Sequence, residues 1–128
     1  TVTTSRTPLF DDDFVPDGVH INALGSFTPD AAEIPAKTIC RAEVFVDQRE
    51  AALQEAGDLL GPLNKGLLPP SFTPAELGEV LLKTRLGRES NQQITVFKSV
   101  GNAAQDIVCA VDVLATAERY GLGQIARL

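Results

Sequence analysis

The sequence predicts an α/β fold built on a parallel or mixed sheet, and three observations carry that expectation. Short apolar runs recur at Val19 to Leu24, Ala42 to Val46 and Ile94 to Val100, each of a length and composition that suits a buried strand. Helix-patterned segments separate them, and strands alternating with helices imply parallel crossovers. Three strand-like runs also end in small or hydroxyl-bearing residues: Thr4-Ser5, Leu24-Gly25-Ser26 and Ser99-Val100-Gly101. In open parallel sheets, ligands bind beyond the carboxyl ends of the strands.

Taken in order, Thr1 to Thr4 is β-branched and reads as the end of a strand already in progress. With no methionine in the chain, that start suggests a fragment. Asp11, Asp12 and Asp13 are consecutive and so cannot converge on one metal from a regular element; a solvated loop or helix start is expected. Pro16-Asp17-Gly18 signals a turn before the Val19 to Leu24 strand. Pro29 ends the next loop, and Asp30 to Ile39 reads as helix or turn. Asp47, after Ala42 to Val46, is placed to cap a helix over Arg49 to Leu60 that Gly61-Pro62 stops. "TPAE" predicts a compact helix start, with Thr73 as N-cap, Pro74 first in the helix and Glu76 as capping-box partner, running to Lys83 or Thr84. After the strand at Ile94 to Val100, Asn102 to Tyr120 forms a long helix. Its polar positions Gln105, Asp112, Thr116 and Arg119 make a narrow stripe, and Ile107, Val108, Val111 and Leu114 make the rest apolar. Such a girth suits packing on more than one side, at an interdomain or subunit interface.

A net charge of −6 and the absence of a basic run argue against nucleic-acid binding. No apolar stretch approaches the ~20 residues of a membrane span, and no membrane partner is expected. Cys40 and Cys109 match no metal-ligand spacing; they read as buried thiols in a reducing, cytoplasmic compartment. The three strand ends predict one shelf for a flat ligand, since glycine admits close approach and hydroxyls supply donors. Gly121-x-Gly123-x-x-Ala126 has the form of a dinucleotide fingerprint, but it follows a helix and has only Arg127 and Leu128 after it. It reads as a helix stop, leaving no usable phosphate loop.

The segments "PDGVHINALGS", "EAALQEAGDLL", "AELGEVL", "QITVFKSVGNAAQD" and "ERYGLG" together resemble the ornithine cyclodeaminase/mu-crystallin family. "TVFKSVG" followed by Ala104 and Asp106 carries most of that specificity. The resemblance implies the C-terminal part of a Rossmann-type NAD(P)-binding domain over residues 1–92. Residues 93–128 would then return, with the long helix, to a dimerisation domain. The glycine-rich phosphate loop and the substrate-gripping basic residues would lie upstream. It also implies NAD or NADP as cofactor, a small amino or imino acid as substrate, and a homodimer for the full-length protein. Carried over residue by residue, Thr4, Leu24, Gly25, Ser26, Ser99, Val100 and Gly101 fall along the cofactor.

Where ornithine cyclodeaminases carry a catalytic aspartate, this chain has Phe27, and a basic residue that follows in that subgroup is Ala31 here. A phenyl ring neither takes a proton nor holds an ammonium by charge. The mu-crystallin-like members also lack that aspartate and resemble ketimine reductases, with a "PD" and a glutamate like Pro29-Asp30 and Glu33. Phe27 is therefore expected to wall or plug a substrate pocket. The expected function is an NAD(P)H-dependent imine or keto-acid reductase, this chain alone being inactive. The alternatives are an ornithine cyclodeaminase or a non-catalytic small-molecule binder. His20 reads as structural, and Lys98 lies opposite Phe97 and Ser99 by strand alternation. Asp106 is expected to support the start of the last helix, and Glu50, Glu55 and Asp58 to form a solvated helix face.

Overall fold

The computed structural model describes residues 1–124 and residue 126. Four parallel strands form one sheet: β1 (His20–Ala23), β2 (Glu43–Val46), β3 (Ala75–Glu76) and β4 (Thr95–Lys98). Their spatial order is β1-β4-β2-β3, so the last strand in sequence lies between the first two. The register places Ala23 beside Lys98 and Val46 beside Lys98, which brings the three strand tips to one level. On the outer side of β1, the Thr1 ammonium donates to the Asn22 carbonyl and the Leu24 N–H to the Thr1 carbonyl. The boundary expected at residue 93 falls just before β4, whose residues pair with both β1 and β2.

Period-two alternation sends one set of side chains to each face. Ala23, Val44, Val46 and Val96 pack on helices α1 (Ala36–Arg41), α2 (Arg49–Glu55) and α3 (Gly57–Asn64); Ile39, Ala52 and Leu59 of these helices, with Ala56 between α2 and α3, complete the core. The opposite face carries His20, Asn22, Phe45, Thr95 and Phe97. It is bordered by α4 (Leu77–Leu81) and the Gly87-Arg88 segment, which line with it an open apolar hollow of about 460 Å³, and His20 and Asn22 are exposed there. Arg88 ties the amino ends of β1 and β4, donating to the carbonyls of Gly18, Val19 and Gln93 and to the Thr95 hydroxyl.

Several expectations are corrected. The helix expected over Arg49 to Leu60 is two helices meeting at Ala56, whose φ −78 and ψ 100 are extended. A Cβ on Gly57 would lie 2.0 Å from the Ala31 carbonyl oxygen, so only glycine lets the chain enter so closely. Pro62 lies inside α3 instead of ending it. Asp58, expected on a solvated face, is completely buried, while Glu50 and Glu55 are exposed. Thr73 does not cap a helix. Ala75 and Glu76 extend to pair with Phe45 and Val46 at the sheet edge, where Pro74, which has no N–H, is tolerated. The helix start shifts to Glu76, whose N–H donates to the Glu79 carboxylate at 2.9 Å.

Asp47 does not cap α2 either; Gln48 holds that position. Cys40 and Cys109 are both exposed, not buried. Asp12 opens a 3₁₀ turn (Asp12–Phe14) and is tied down. The Thr38 hydroxyl at 2.7 Å and the Arg41 guanidinium at 2.9 Å hold its carboxyl below the usual aspartate range.

The last helix, α5 (Ala103–Tyr120), starts at Asn102, whose side chain accepts from the Ala104 N–H, and ends at Gly121 with φ +62. Asn102 is therefore its cap, and Asp106 lies in the first turn, where its charge suits the helix start. Among the described residues none of α5 is buried, and Ile107, Val108, Val111, Val113 and Leu114 are all exposed. No helix of the described residues is long and apolar enough to cross a membrane.

Candidate functional site

Because every strand runs the same way, the residues after β1, β2 and β4 share one edge of the sheet. The Ser99 N–H donates to the Ala23 carbonyl at 3.1 Å, so the β4 tip lies directly against the β1 tip. Thr3 and Gly25 meet on a single carboxylate, that of Glu33. It accepts the Thr3 N–H and hydroxyl, each at 2.6 Å, and the Gly25 N–H at 3.0 Å. Thr4, next to Thr3, is exposed. The expected ledge residues thus lie together along the carboxyl edge.

Their surroundings differ from the simple expectation of glycines and free hydroxyls. Gly25 is required by its own protein: a Cβ there would stand 2.4 Å from both Glu33 carboxylate oxygens and from the Thr3 carbonyl. Ser26 is completely buried, and its hydroxyl donates to the Ala31 carbonyl. The Ser99 hydroxyl donates to Asp47 at 2.6 Å, and Asp47 also accepts the Gly101 N–H at 3.1 Å. The Ser26 and Ser99 hydroxyl protons are spent inside the protein, and the Ser99 oxygen also accepts the Gly101 N–H at 3.2 Å, which leaves one Ser99 lone pair and apolar surface at this tip. Gly101 has φ +95, and a Cβ on it would meet nothing within 4 Å among the described residues. Its openness and left-handed backbone leave room above the β4 tip. Leu24 and Phe27 are exposed, Phe27 at 55%, and Val100 is half-buried. Leu24, Phe27, Ser99, Val100 and Gly101 therefore lie along the accessible side of this edge, while Gly25 and Ser26 shape the turn after β1.

Glu33, Asp47 and Asp58 are the residues that sequence patterning overlooks as site-builders. Glu33 is fully buried, and burial alone would raise its pKa. The Thr3 and Gly25 donors overcome that and hold the carboxyl below the usual glutamate value. The available signal was a lone acid inside an apolar run, "AAEIPA" for Glu33 and "AGDLL" for Asp58. Such an acid is buried only when something satisfies it. His20 lies away from this edge; its ring nitrogens face the Thr95 hydroxyl and the Asn22 side chain. Among the described residues no cluster of His, Cys, Asp or Glu is placed to hold a metal. Gly121 and Gly123 follow α5 with left-handed backbone, as a helix stop does. Ile125, within the same motif, and Arg127 and Leu128 after it lie outside the described residues.

Parallel strands with crossover helices and a ledge at the carboxyl edge define a Rossmann-like α/β unit. The chain belongs to the ornithine cyclodeaminase/mu-crystallin family, which matches residues 1–119. It is 45% identical over 125 residues to the Delta(1)-pyrroline-2-carboxylate reductase of Bacillus cereus, covering 97% of this chain and 38% of that protein. Among solved structures it resembles Thermococcus litoralis Delta(1)-pyrroline-2-carboxylate reductase in complex with NADH and L-proline. That match has a TM-score of 0.88 and 34% identity, over 98% of this chain and 39% of the other. An archaeal alanine dehydrogenase dimer with bound NAD matches with a TM-score of 0.83 and 31% identity, over 99% and 39%. The chain therefore spans about two fifths of the length of these relatives.

Proposed function

We propose that this chain forms part of an NAD(P)H-dependent reductase of small cyclic 2-imino acids, with the carboxyl edge of the sheet holding the nicotinamide end of the cofactor. The observation that carries this reading is the ledge itself: the β1 and β4 tips in direct contact, with space above Gly101 and acceptor oxygen at Ser99. Likeness to a relative whose structure contains NADH and L-proline supports it. The Ser99 oxygen suits an N–H of a nicotinamide carboxamide, with Asp47 fixing the hydroxyl's orientation. Leu24 and Val100 supply apolar contact for the ring, and Thr4 borders it.

When bound, the reduced cofactor supplies a hydride to the imine carbon. A proton ends on the nitrogen, and the products are the cyclic amino acid and NAD(P)⁺. An iminium already carries its charge, so hydride placement matters more than a carboxylate beside it. Phe27 is consistent with that need: an exposed ring at the ledge can wall the apolar ring carbons of the substrate and exclude water. In the complete protein the pyrophosphate is held by residues other than these 128, and α5 joins a dimerisation domain.

The test is oxidation of NADH or NADPH by the full-length polypeptide, followed at 1-pyrroline-2-carboxylate concentrations that saturate it. Imine-dependent oxidation is expected; dinucleotide binding without turnover would instead support a non-catalytic binder. Ammonia release from ornithine would revive the cyclodeaminase alternative. Phe27→Asp should lower kcat roughly tenfold, about 1.4 kcal/mol of transition-state stabilisation, and release no ammonia from ornithine, since Ala31 remains apolar.

A further inference from the structure

Under the ledge lies a buried charged cluster that the reaction above does not use. Lys98 ends β4 and points to the helix-covered side, opposite Phe97; it is completely buried. Its Nζ lies 3.3 Å from Oδ2 of Asp58, equally buried on α3. Neither atom has a hydrogen-bond partner among the described residues, so the contact is ionic and poorly aligned. The other Asp58 oxygen accepts the N–H groups of Glu33 at 2.7 Å and Ile34 at 2.9 Å. Glu33 in turn grips Thr3 and Gly25. One unbroken series of contacts thus runs from the β4 tip through Lys98, Asp58 and Glu33 to the β1 tip and the amino-terminal segment.

Ionised groups buried this deeply are costly, and an apolar layer of the same volume is often as stable or more so. Burial pushes the Lys98 ammonium's pKa down, while Asp58, then Glu33 and Asp47, oppose the shift. A packed apolar side chain would avoid that conflict, so the cluster's value lies in placement. A charge pair fixes the distance between two elements in a way interchangeable apolar contacts do not.

We propose that Lys98 is a positioning residue: through Asp58 and Glu33 it sets the spacing between the β4 tip at Ser99 and the β1 tip at Leu24-Gly25, the two tips that form the proposed nicotinamide ledge. This rests on the ledge being the cofactor site, and the experiment keeps the two apart. The full-length polypeptide is compared with Lys98→Met and with the double variant Lys98→Met/Asp58→Asn. The asparagine keeps an acceptor for the Glu33 and Ile34 N–H groups while both charges disappear. Thermal melting, NADH fluorescence on binding, and the KM values for NADH and imino acid are measured.

Lys98→Met alone strands the Asp58 carboxylate and is expected to lower the melting temperature; unfolding of this variant agrees with a stranded charge. The double variant should melt close to the unsubstituted protein yet show a KM for NADH raised about tenfold or more, with the imino-acid KM little changed. A double variant that keeps the original NADH KM and fluorescence overturns the proposal, because the pair is then only structural. So does a double variant that fails to fold. If the unsubstituted protein binds no dinucleotide, the ledge assignment falls first and this proposal with it.

Discussion

Gly25 illustrates how a residue chosen by one neighbour can look chosen by another. Glycine after a strand invites a ligand-approach explanation, yet the groups that crowd it are the Glu33 carboxylate and the Thr3 carbonyl. The glycine was legible in the sequence; the carboxylate that requires it was not, because an acid in an apolar run carries no spacing that names its partner. Lys98 is a similar case. Strand alternation correctly sets it opposite Phe97, but a charged side chain is expected in water, not at zero exposure against Asp58. Glu33 makes the consequence measurable. Its folded-state pKa is held below the ordinary value, so its contribution to stability is complete above the ordinary glutamate range and drains away as pH falls through the folded value. Urea midpoints measured from pH 7 down to about pH 3 should therefore fall less steeply for Glu33→Gln than for the unsubstituted chain. The variant should be the less stable of the two at pH 7, where it has surrendered the stronger charged acceptor.

Among the elements, the three longer strands and the last helix could be read from pattern, while short or interrupted elements could not. β2 and β4 declare themselves as β-branched runs. β3 has two residues and exists only because Phe45 and Val46 offer it an edge. Local propensity around Thr73 and Pro74 favoured a helix start there, and edge pairing overrode it. The split between α2 and α3 follows from Gly57 and Asp58, which pull the chain against the 28–34 loop, a tertiary demand with no local signature. α5 was predicted almost to the residue, because Asn102 and Gly121 are strong helix-end signals. Its wide apolar surface has no cover among the described residues. As an isolated polypeptide, the 128 residues should show α5 amides exchanging within about 100-fold of unstructured rates. The amides of β4, paired on both sides, should be protected far longer. Equal protection of the two would mean that α5 is stabilised by something other than packing in a larger assembly.

For the whole molecule, family membership and the convergence of strand tips set firm bounds on what 128 residues can do. On the proposed function the ledge would meet only one end of a dinucleotide and offer few contacts, and its Ser26 and Ser99 hydroxyl protons are already engaged internally. Calorimetry of the isolated chain with NADH or NADPH should accordingly give a dissociation constant of about 1 mM or weaker, near 4 kcal/mol of binding free energy. Micromolar affinity would place the pyrophosphate contacts within this chain after all. A parallel or mixed sheet was legible because apolar runs alternate with helices, and the structure makes every pair parallel. The strand order was not, since β4 enters between β1 and β2. That insertion has a consequence for biosynthesis. Until the ribosome has made β4, the edges of β1 and β2 that β4 will pair have no native partner, and the two strands do not neighbour each other in the native arrangement. The layer closes only when Thr95 to Lys98 emerge from the exit tunnel, so a message truncated before those codons encodes two sticky ribbons instead of a smaller sheet.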